Sequence, residues 1–392
     1  MSRAATLSRT TLPVLRREQG WDWPLLFCAA ALLALGLVMI ASASVGIADR
    51  QVGDPTYYLV RQSLYVGLGL AAAFIAWQLP LSVWERSGPM WIIATLLLLL
   101  ALFVPGLGRT VNGATRWLLL GPFNLQVSEL AKLAMIIYLA GYLVRRGEAV
   151  RTTVGGFLKP MALVALFGGL LLAEPDFGAT VVLAATALAM MFLGGVRLWL
   201  FGVLVLFAMG AMAVVALGAS YRLERLTAFL NPWADPFNSG FQLTQALIAF
   251  GRGEWFGVGL GSSVQKLFYL PEAHTDFVYA VLVEELGMVG GSIVVLLFTA
   301  LVGRIFRIGR NAAEAGMAFA GHLCYGIGVW FALQAFINMG VNMGLLPTKG
   351  LTLPLMSYGG SSMIVMCVAL ALVQRVSLET PLHGVSPRRR QS

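Results

Sequence analysis

Asp276 stands where a polar segment passes into a long apolar one, in FYLPEAHTDFVYAVLVEELGMVGG, Phe268 to Gly291. Ionisable groups within apolar membrane segments are costly and point by default to function. Two more carboxylates follow, Glu284 and Glu285. At about 100° per residue, Glu284 lies about 80° from Asp276 around a helix and Glu285 about opposite, so the three acids form no single stripe. The two glutamates, lying deeper, are expected to bond to other helices. Asp276 is left at the outer mouth of the segment, with Glu272 and His274 just before it. Partial burial strengthens a carboxylate's hold on a proton, which suits a general base. Aspartate is also a good helix N-cap. Spacing alone leaves both readings open.

Three other stretches carry polar groups in apolar surroundings. In NGATRWLLLGPFNLQVSELAKLA, Glu129 and Lys132 are three apart, so on a helix they can face each other. They make an ion pair that fixes helix orientation, or line a substrate cavity, or both. Arg116, beside Trp117 in the loop before them, is a candidate for a lipid phosphate or for a loop carboxylate. The turn EPDFGAT, broken at Pro175, holds Glu174 and Asp176. These acids are either solvated or donors to a divalent cation such as Mg or Mn, since hard cations take oxygen ligands. In NMGVNMGLLPTKGLTLPLMSYGGSS, Lys349 is the sole charge, and Asn338 and Asn342 share a helix face. Ser357, Ser361 and Ser362, with Gly359 and Gly360, offer hydroxyls and close backbone approach. Such a piece holds a pyrophosphate at a helix start or is a small-residue packing face.

The elements that must position these groups follow from composition. Of 392 residues, 58% are apolar and 11% charged, against about 25% charged in a soluble domain. Nearly charge-free stretches of about 18 residues recur, enough to cross about 30 Å of hydrocarbon as a helix. Backbone groups in lipid must be satisfied within the segment, and the short alternating strands of a barrel are not evident. The fold expected is an all-α, polytopic membrane protein with ten spans. They are Pro24–Val45, Gln62–Leu79, Met90–Val104, Val127–Val144, Phe157–Ala173, Phe177–Val196, Leu198–Ala219, Phe277–Val302, Ala315–Gly340 and Leu351–Gln374.

With the N-terminus inside, the inner segments hold seventeen of the 27 Lys and Arg, so both termini are expected to be cytoplasmic. That bias accounts for the net charge of +9 and calls for no nucleic-acid partner. The organisation expected is a tail over 1–21, a membrane domain over 22–376 and a tail over 377–392, both tails cytoplasmic. Arg16 and Arg17 precede the first span, but its apolar core exceeds the about 7–15 residues of a signal peptide, so an uncleaved anchor is expected. The one long loop, 220–275, lies on the outer face and is rich in aromatic residues. Leu243, Leu247 and Phe250 suit a short helix lying along the membrane interface. This loop reads as an ordered cap over an extracytoplasmic cavity. Its GRGEWFGVGLGSS lacks the spacing and the preceding strand of a nucleotide loop, and no nucleotide or organic cofactor is expected. Cys28, Cys324 and Cys367 read as buried thiols; His274, His322 and His383 are too scattered to join them in a metal site.

The motifs NGATRWL, QVSELAKLA, EPDFGAT, DPFNSGFQ, YLPEAHTDF, EELG and LPLMSYGGSS, in that order, resemble the shape, elongation, division and sporulation family of polytopic peptidoglycan glycosyltransferases. The resemblance runs from Trp23 to about Arg375 and is closer to the division member than to the elongation member. One departure is Val127, where the family usually has proline. The resemblance implies polymerisation of lipid II on the outer face of the inner membrane at the division septum. It maps the family's essential acid onto Asp276, as the base that takes a proton from the acceptor hydroxyl, and the family's buried Glu–Lys pair onto Glu129 and Lys132. Lys349, Arg116 or a divalent ion would then neutralise the departing pyrophosphate. Implied partners are a cognate class B penicillin-binding protein, with one membrane span, and the division regulators FtsQ, FtsL and FtsB. Alternatives are an elongation-type polymerase, a lipid II flippase, or a non-catalytic scaffold for a partner synthase.

Overall fold

The computed structural model describes residues 20–111, 114–121, 123–217, 229–238, 240–267, 269–347 and 350–381. Helices α1 (Trp23–Val52), α2 (Tyr57–Gln78) and α3 (Leu81–Ala101) come first. Strands β1 (Gly108–Val111), β2 (Ala114–Leu120) and β3 (Phe123–Gln126) follow. Then come α4 (Val127–Thr152), α5 (Val154–Ala173), α6 (Phe177–Leu193) and α7 (Leu198–Leu217). Beyond α8 (Phe241–Gly253), in the long loop, lie α9 (Val278–Glu314), α10 (Ala318–Asn342) and α11 (Gly360–Glu379). A helix lies in each of the ten predicted intervals. Eight of them, α1 to α5 and α9 to α11, are long and apolar enough to cross a bilayer. α6 is an apolar helix of 17 residues, and α7 is apolar throughout its 20.

The helices differ from the predicted spans for identifiable reasons. α3 starts at Leu81 and carries Arg86 in its first turns, and α4 runs on to Thr152; a helix can continue into water once its apolar core has ended. α11 starts at Gly360 and not at Leu351. Pro354 disfavours helix for itself and its predecessor, and Leu351–Gly359 form a packed, non-helical passage. The predicted eighth span is broken. Gly287, at φ 70° and ψ −174°, occupies a region essentially open only to glycine. The break leaves a short arm, 278–286, set off from the long remainder of α9.

The loop between α7 and α9 repairs the backbone at this break. The amides of Val258 and Gly259 donate to the carbonyls of Glu284 and Glu285, at 3.0 and 3.1 Å. The amides of Met288 and Val289 donate to those of Glu254 and Trp255, at 2.9 and 3.1 Å. Irregular backbone at a membrane protein's rim survives only where protein satisfies it. A Cβ on Gly257 would overlap the Glu285 carbonyl, and one on Gly287 that of Trp255. The expected short helix is present as α8, and it packs on the α9 arm. Leu243, Ala246 and Ala249 are buried, and the Phe250 ring lies 5.8 Å from Tyr279.

α4, α10 and α11 form the centre, with Trp330, Phe331 and Met135 fully buried. α2 packs on α11, α3 on α4, and α1 on both α2 and α9. Asp22 caps α1 through Leu25 N (3.1 Å) and pairs with Arg304 of α9 at 2.7 Å. The three cysteines are buried and free. The antiparallel sheet β1-β2-β3 is the departure from an all-α chain. Its signal was present in Asn112-Gly113, a strong hairpin dipeptide, and in Gly121-Pro122.

Candidate functional site

A cavity of about 480 Å³ opens at the end of the bundle where α4, α6, α9 and α11 begin. Four helix starts, each carrying partial positive charge, therefore converge on one space. Asp276 lies in its wall, half-buried, two residues before α9. Its Oδ2 approaches the Gly350 backbone closely enough that a Cβ on that glycine would lie 3.3 Å away.

The backbone around Asp276 is held from α10. Nδ2 of Asn338 and Nδ2 of Asn342 both donate to the Asp276 carbonyl, each at 2.9 Å. Asn342 Oδ1 accepts from Ala280 N at 3.0 Å, so a first-turn amide of α9 is capped from another helix. Both asparagines are buried and neither lines the cavity. The expectation that they bind pyrophosphate is therefore corrected: their amides already serve backbone groups.

Two guanidinium groups reach the cavity, from Arg61 and Arg116. Arg61 donates to the hydroxyls of Tyr57 and Tyr65, at 2.6 and 3.1 Å, with its guanidinium over both rings. Arg116, on β2, donates to the backbone carbonyls of Glu174 and Pro175. Both open readings of Glu129 and Lys132 hold in part. Lys132 Nζ donates to Glu129 Oε1 at 2.8 Å and to Gln334 Oε1 at 2.7 Å, under the Trp330 ring. The pair ties α4 to α10, and of the two only Glu129 lines the cavity. Its Oε2 has no hydrogen-bond partner.

Asp176 also lines the cavity. Its Oδ1 caps α6 at Ala179 N, 3.2 Å, while the buried Oδ2 is unpartnered. Its neighbour Glu174 is not solvated: it is buried with both oxygens unpartnered. Burial first, then the nearby Asp176 charge, push its carboxyl up to about 8 against the pull of Arg116. Glu272 is exposed at the rim and accepts from Thr275 Oγ1 at 2.7 Å. His274 sits behind the wall, between the rings of Tyr58 and Tyr358. Burial lowers its pKa, and Glu272 opposes that shift.

The serines divide. Ser361 lines the cavity and ties α11 to the sheet, accepting from Gln126 N and donating to Asn124 O, both at 2.9 Å. Ser357 accepts from Leu353 N at 2.8 Å, and Ser362 lies 3.3 Å from Thr352 Oγ1; neither lines the cavity. Lys349 lies outside the described residues. Glu284 and Glu285 point away from the cavity, as their angular offset implied, but their partners come mainly from the loop. Glu284 meets Arg252 at 3.2 Å and the hydroxyl of Ser263. Glu285 meets Lys266 at 2.8 Å and Ser42 of α1 at 2.6 Å. Among the described residues, no three His, Cys, Asp or Glu side chains gather as a metal set.

Arg61, Tyr65 and Tyr358 were missed. An arginine flanked by tyrosines four residues either side, in YYLVRQSLY, is the signal that would have found the first two. Arg61 stands one residue before the predicted second span, Gln62–Leu79.

The family model described as "Cell cycle protein", covering FtsW, RodA and SpoVE, matches residues 23–381. A probable peptidoglycan glycosyltransferase FtsW of Thioalkalivibrio sulfidiphilus is 61% identical, over 94% of this chain and 92% of its own. That of Nitrosococcus halophilus is 60% identical, over 94% and 95%. Among solved structures, a chain of a peptidoglycan synthase complex that coordinates polymerization and crosslinking superposes with a TM-score of 0.74 at 32% identity, covering 91% of this chain and 98% of its own. RodA of Thermus thermophilus gives 0.68 at 30%, over 92% and 98%. The motif order and the helical membrane fold agree with these matches: the chain belongs to the FtsW/RodA/SpoVE family of cell-cycle proteins.

Proposed function

We infer that this integral membrane protein is a division-type peptidoglycan glycosyltransferase that polymerises lipid II, with Asp276 as general base. The observation that carries this reading is one carboxylate, half-exposed in a polar cavity, with two arginines and four helix starts in the same walls. The 4-hydroxyl of a GlcNAc acceptor attacks the anomeric carbon of a MurNAc donor. Asp276 takes the hydroxyl proton as the new C–O bond forms and the bond to undecaprenyl pyrophosphate breaks. A positioned base supplies about 10²–10⁴-fold. Alignment and neutralisation of the leaving pyrophosphate supply more. Arg61 and Arg116, with the helix starts, provide fixed positive charge for that group, and the apolar outer walls of the bundle leave the prenyl tails in lipid.

Asp176 and Glu129, each with an oxygen that has no hydrogen-bond partner, would be the residues to hold a divalent cation, Mg or Mn, since such ions are usually held by one or two carboxylates. When bound, it would screen pyrophosphate charge. Partners in this reading are a crosslinking class B penicillin-binding protein and the regulators FtsQ, FtsL and FtsB, at the septum, with the cavity on the outer face and both termini inside. The flippase alternative loses support because Glu284 and Glu285 are held in ion pairs with the loop.

The test is polymerisation of lipid II in detergent by the protein with its partner, for wild type and Asp276→Asn. Detergent abolishes sidedness, so a flippase makes no polymer in either case. Wild type is expected to make glycan chains and Asp276→Asn none. Equal rates would refute the base assignment.

A further inference from the structure

We propose that Asn338 and Asn342 are positioning residues for Asp276, acting as a two-pronged clamp on its backbone carbonyl. The proposal rests on the reading of Asp276 as base, and it goes beyond it by naming what holds that base in register. Asp276 lies outside any helix, so α9 does not fix its backbone. Both donors come from the last turns of α10, a central helix. Their amides meet on a single oxygen, each at 2.9 Å.

Each prong is itself braced. Asn338 Nδ2 also donates to the Leu351 carbonyl at 2.6 Å, next to Gly350, over which the Asp276 carboxylate lies. Asn342 Nδ2 also donates to Asn338 O at 2.9 Å, and its Oδ1 accepts from Ala280 N at 3.0 Å. One network therefore joins the backbone carbonyl of the base itself, the first turn of α9 and the floor of the cavity. Buried amides with every strong group used are rigid and costly to disturb. A side chain held by such a frame keeps its donor–acceptor distance to a bound hydroxyl, and a displacement of about 1 Å at a reacting group costs about 10²-fold in rate.

Asparagine suits this task because it presents a donor pair and an acceptor without charge. Aspartate at either place would set an oxygen against the carbonyl. Alanine leaves the carbonyl with one donor or none.

The experiment has two arms. In the first, Asn338→Ala, Asn342→Ala and the double variant are assayed with the partner for lipid II polymerisation. The expected result is a kcat lowered about tenfold or more with KM within about threefold, since orientation and not binding is lost. In the second, a nitroxide is placed at Asp276→Cys, and its mobility is read by electron paramagnetic resonance in each asparagine background. The native cysteines are buried, so the label reports one site. Mobility is expected to rise in both single variants. This arm needs no activity and stands even if the double variant fails to fold. Unchanged mobility in both single variants overturns the clamp. Raised mobility with wild-type kcat overturns the positioning role. Loss of the base reading shows separately, as an active Asp276→Asn, and leaves the label to judge the clamp alone.

Discussion

Gly350 lines the cavity directly beneath the Asp276 carboxylate. A methyl group there would stand 3.3 Å from Oδ2, tighter than ordinary contact, so the carboxylate must give way. Gly350→Ala is therefore expected to lower the polymerisation rate about tenfold by displacing a reacting group, with melting temperature and yield unchanged. A wild-type rate would show that the carboxylate does not act in the position it holds here. At this scale the sequence was informative about Asp276, Glu129 and Asp176, because acids in apolar segments announce themselves. It was misleading about Asn338 and Asn342. Neutral amides at helical spacing suit ligands and backbone carbonyls equally, and the choice depended on which loop came to rest against them.

The break in α9 and the loop that binds it act as one element. The Lys266–Glu285 pair closes it at 2.8 Å, with little exposure of either side chain. Removing one member of a buried pair costs about 3–5 kcal/mol, because the other charge is stranded. Lys266→Met should lower the thermal midpoint in detergent and speed proteolysis of the loop, whereas adding Glu285→Gln should restore most of the loss. A Lys266→Met single variant as stable as wild type would show that Ser42 and the loop amides suffice to hold Glu285. Hydropathy reported an apolar segment with two acids but not the break. A run of apolar residues reads alike whether a helix continues through it or stops at one glycine, and the decisive fact, the crossing of Gly257 and Gly287, joins positions thirty apart in sequence.

Across the whole molecule, stability carries a pH signature from Glu174. Its carboxyl is raised from 4.5 to about 8 in the fold, chiefly by burial. The folded chain thus keeps a proton that the unfolded chain releases. The stability contributed by that proton is fully present below about 4.5 and is lost as pH rises to about 8. The Glu174 contribution should fall from pH 5 to 8, while the buried His274, with its lowered pKa, contributes in the opposite direction, so the signature is read as the difference from a variant. Glu174→Gln, which cannot ionise, should lack that fall, with its advantage greatest at pH 8. Parallel profiles for the two proteins would mean that Glu174 is not the group responsible.

The sequence by itself determined that the chain crosses a membrane as helices and which acid stands just before α9. Those properties follow from hydrocarbon thickness, backbone satisfaction and the cost of charge in lipid, all of which act locally along the chain. The tertiary structure decided how those groups are used. It alone brought Arg61 from α2 and Arg116 from the sheet to one cavity, turned Lys132 away from it, paired the α9 glutamates with the loop and set two asparagines on the Asp276 carbonyl. Such choices depend on contacts between residues far apart in the chain, where side-chain type limits the possible partners and packing selects among them.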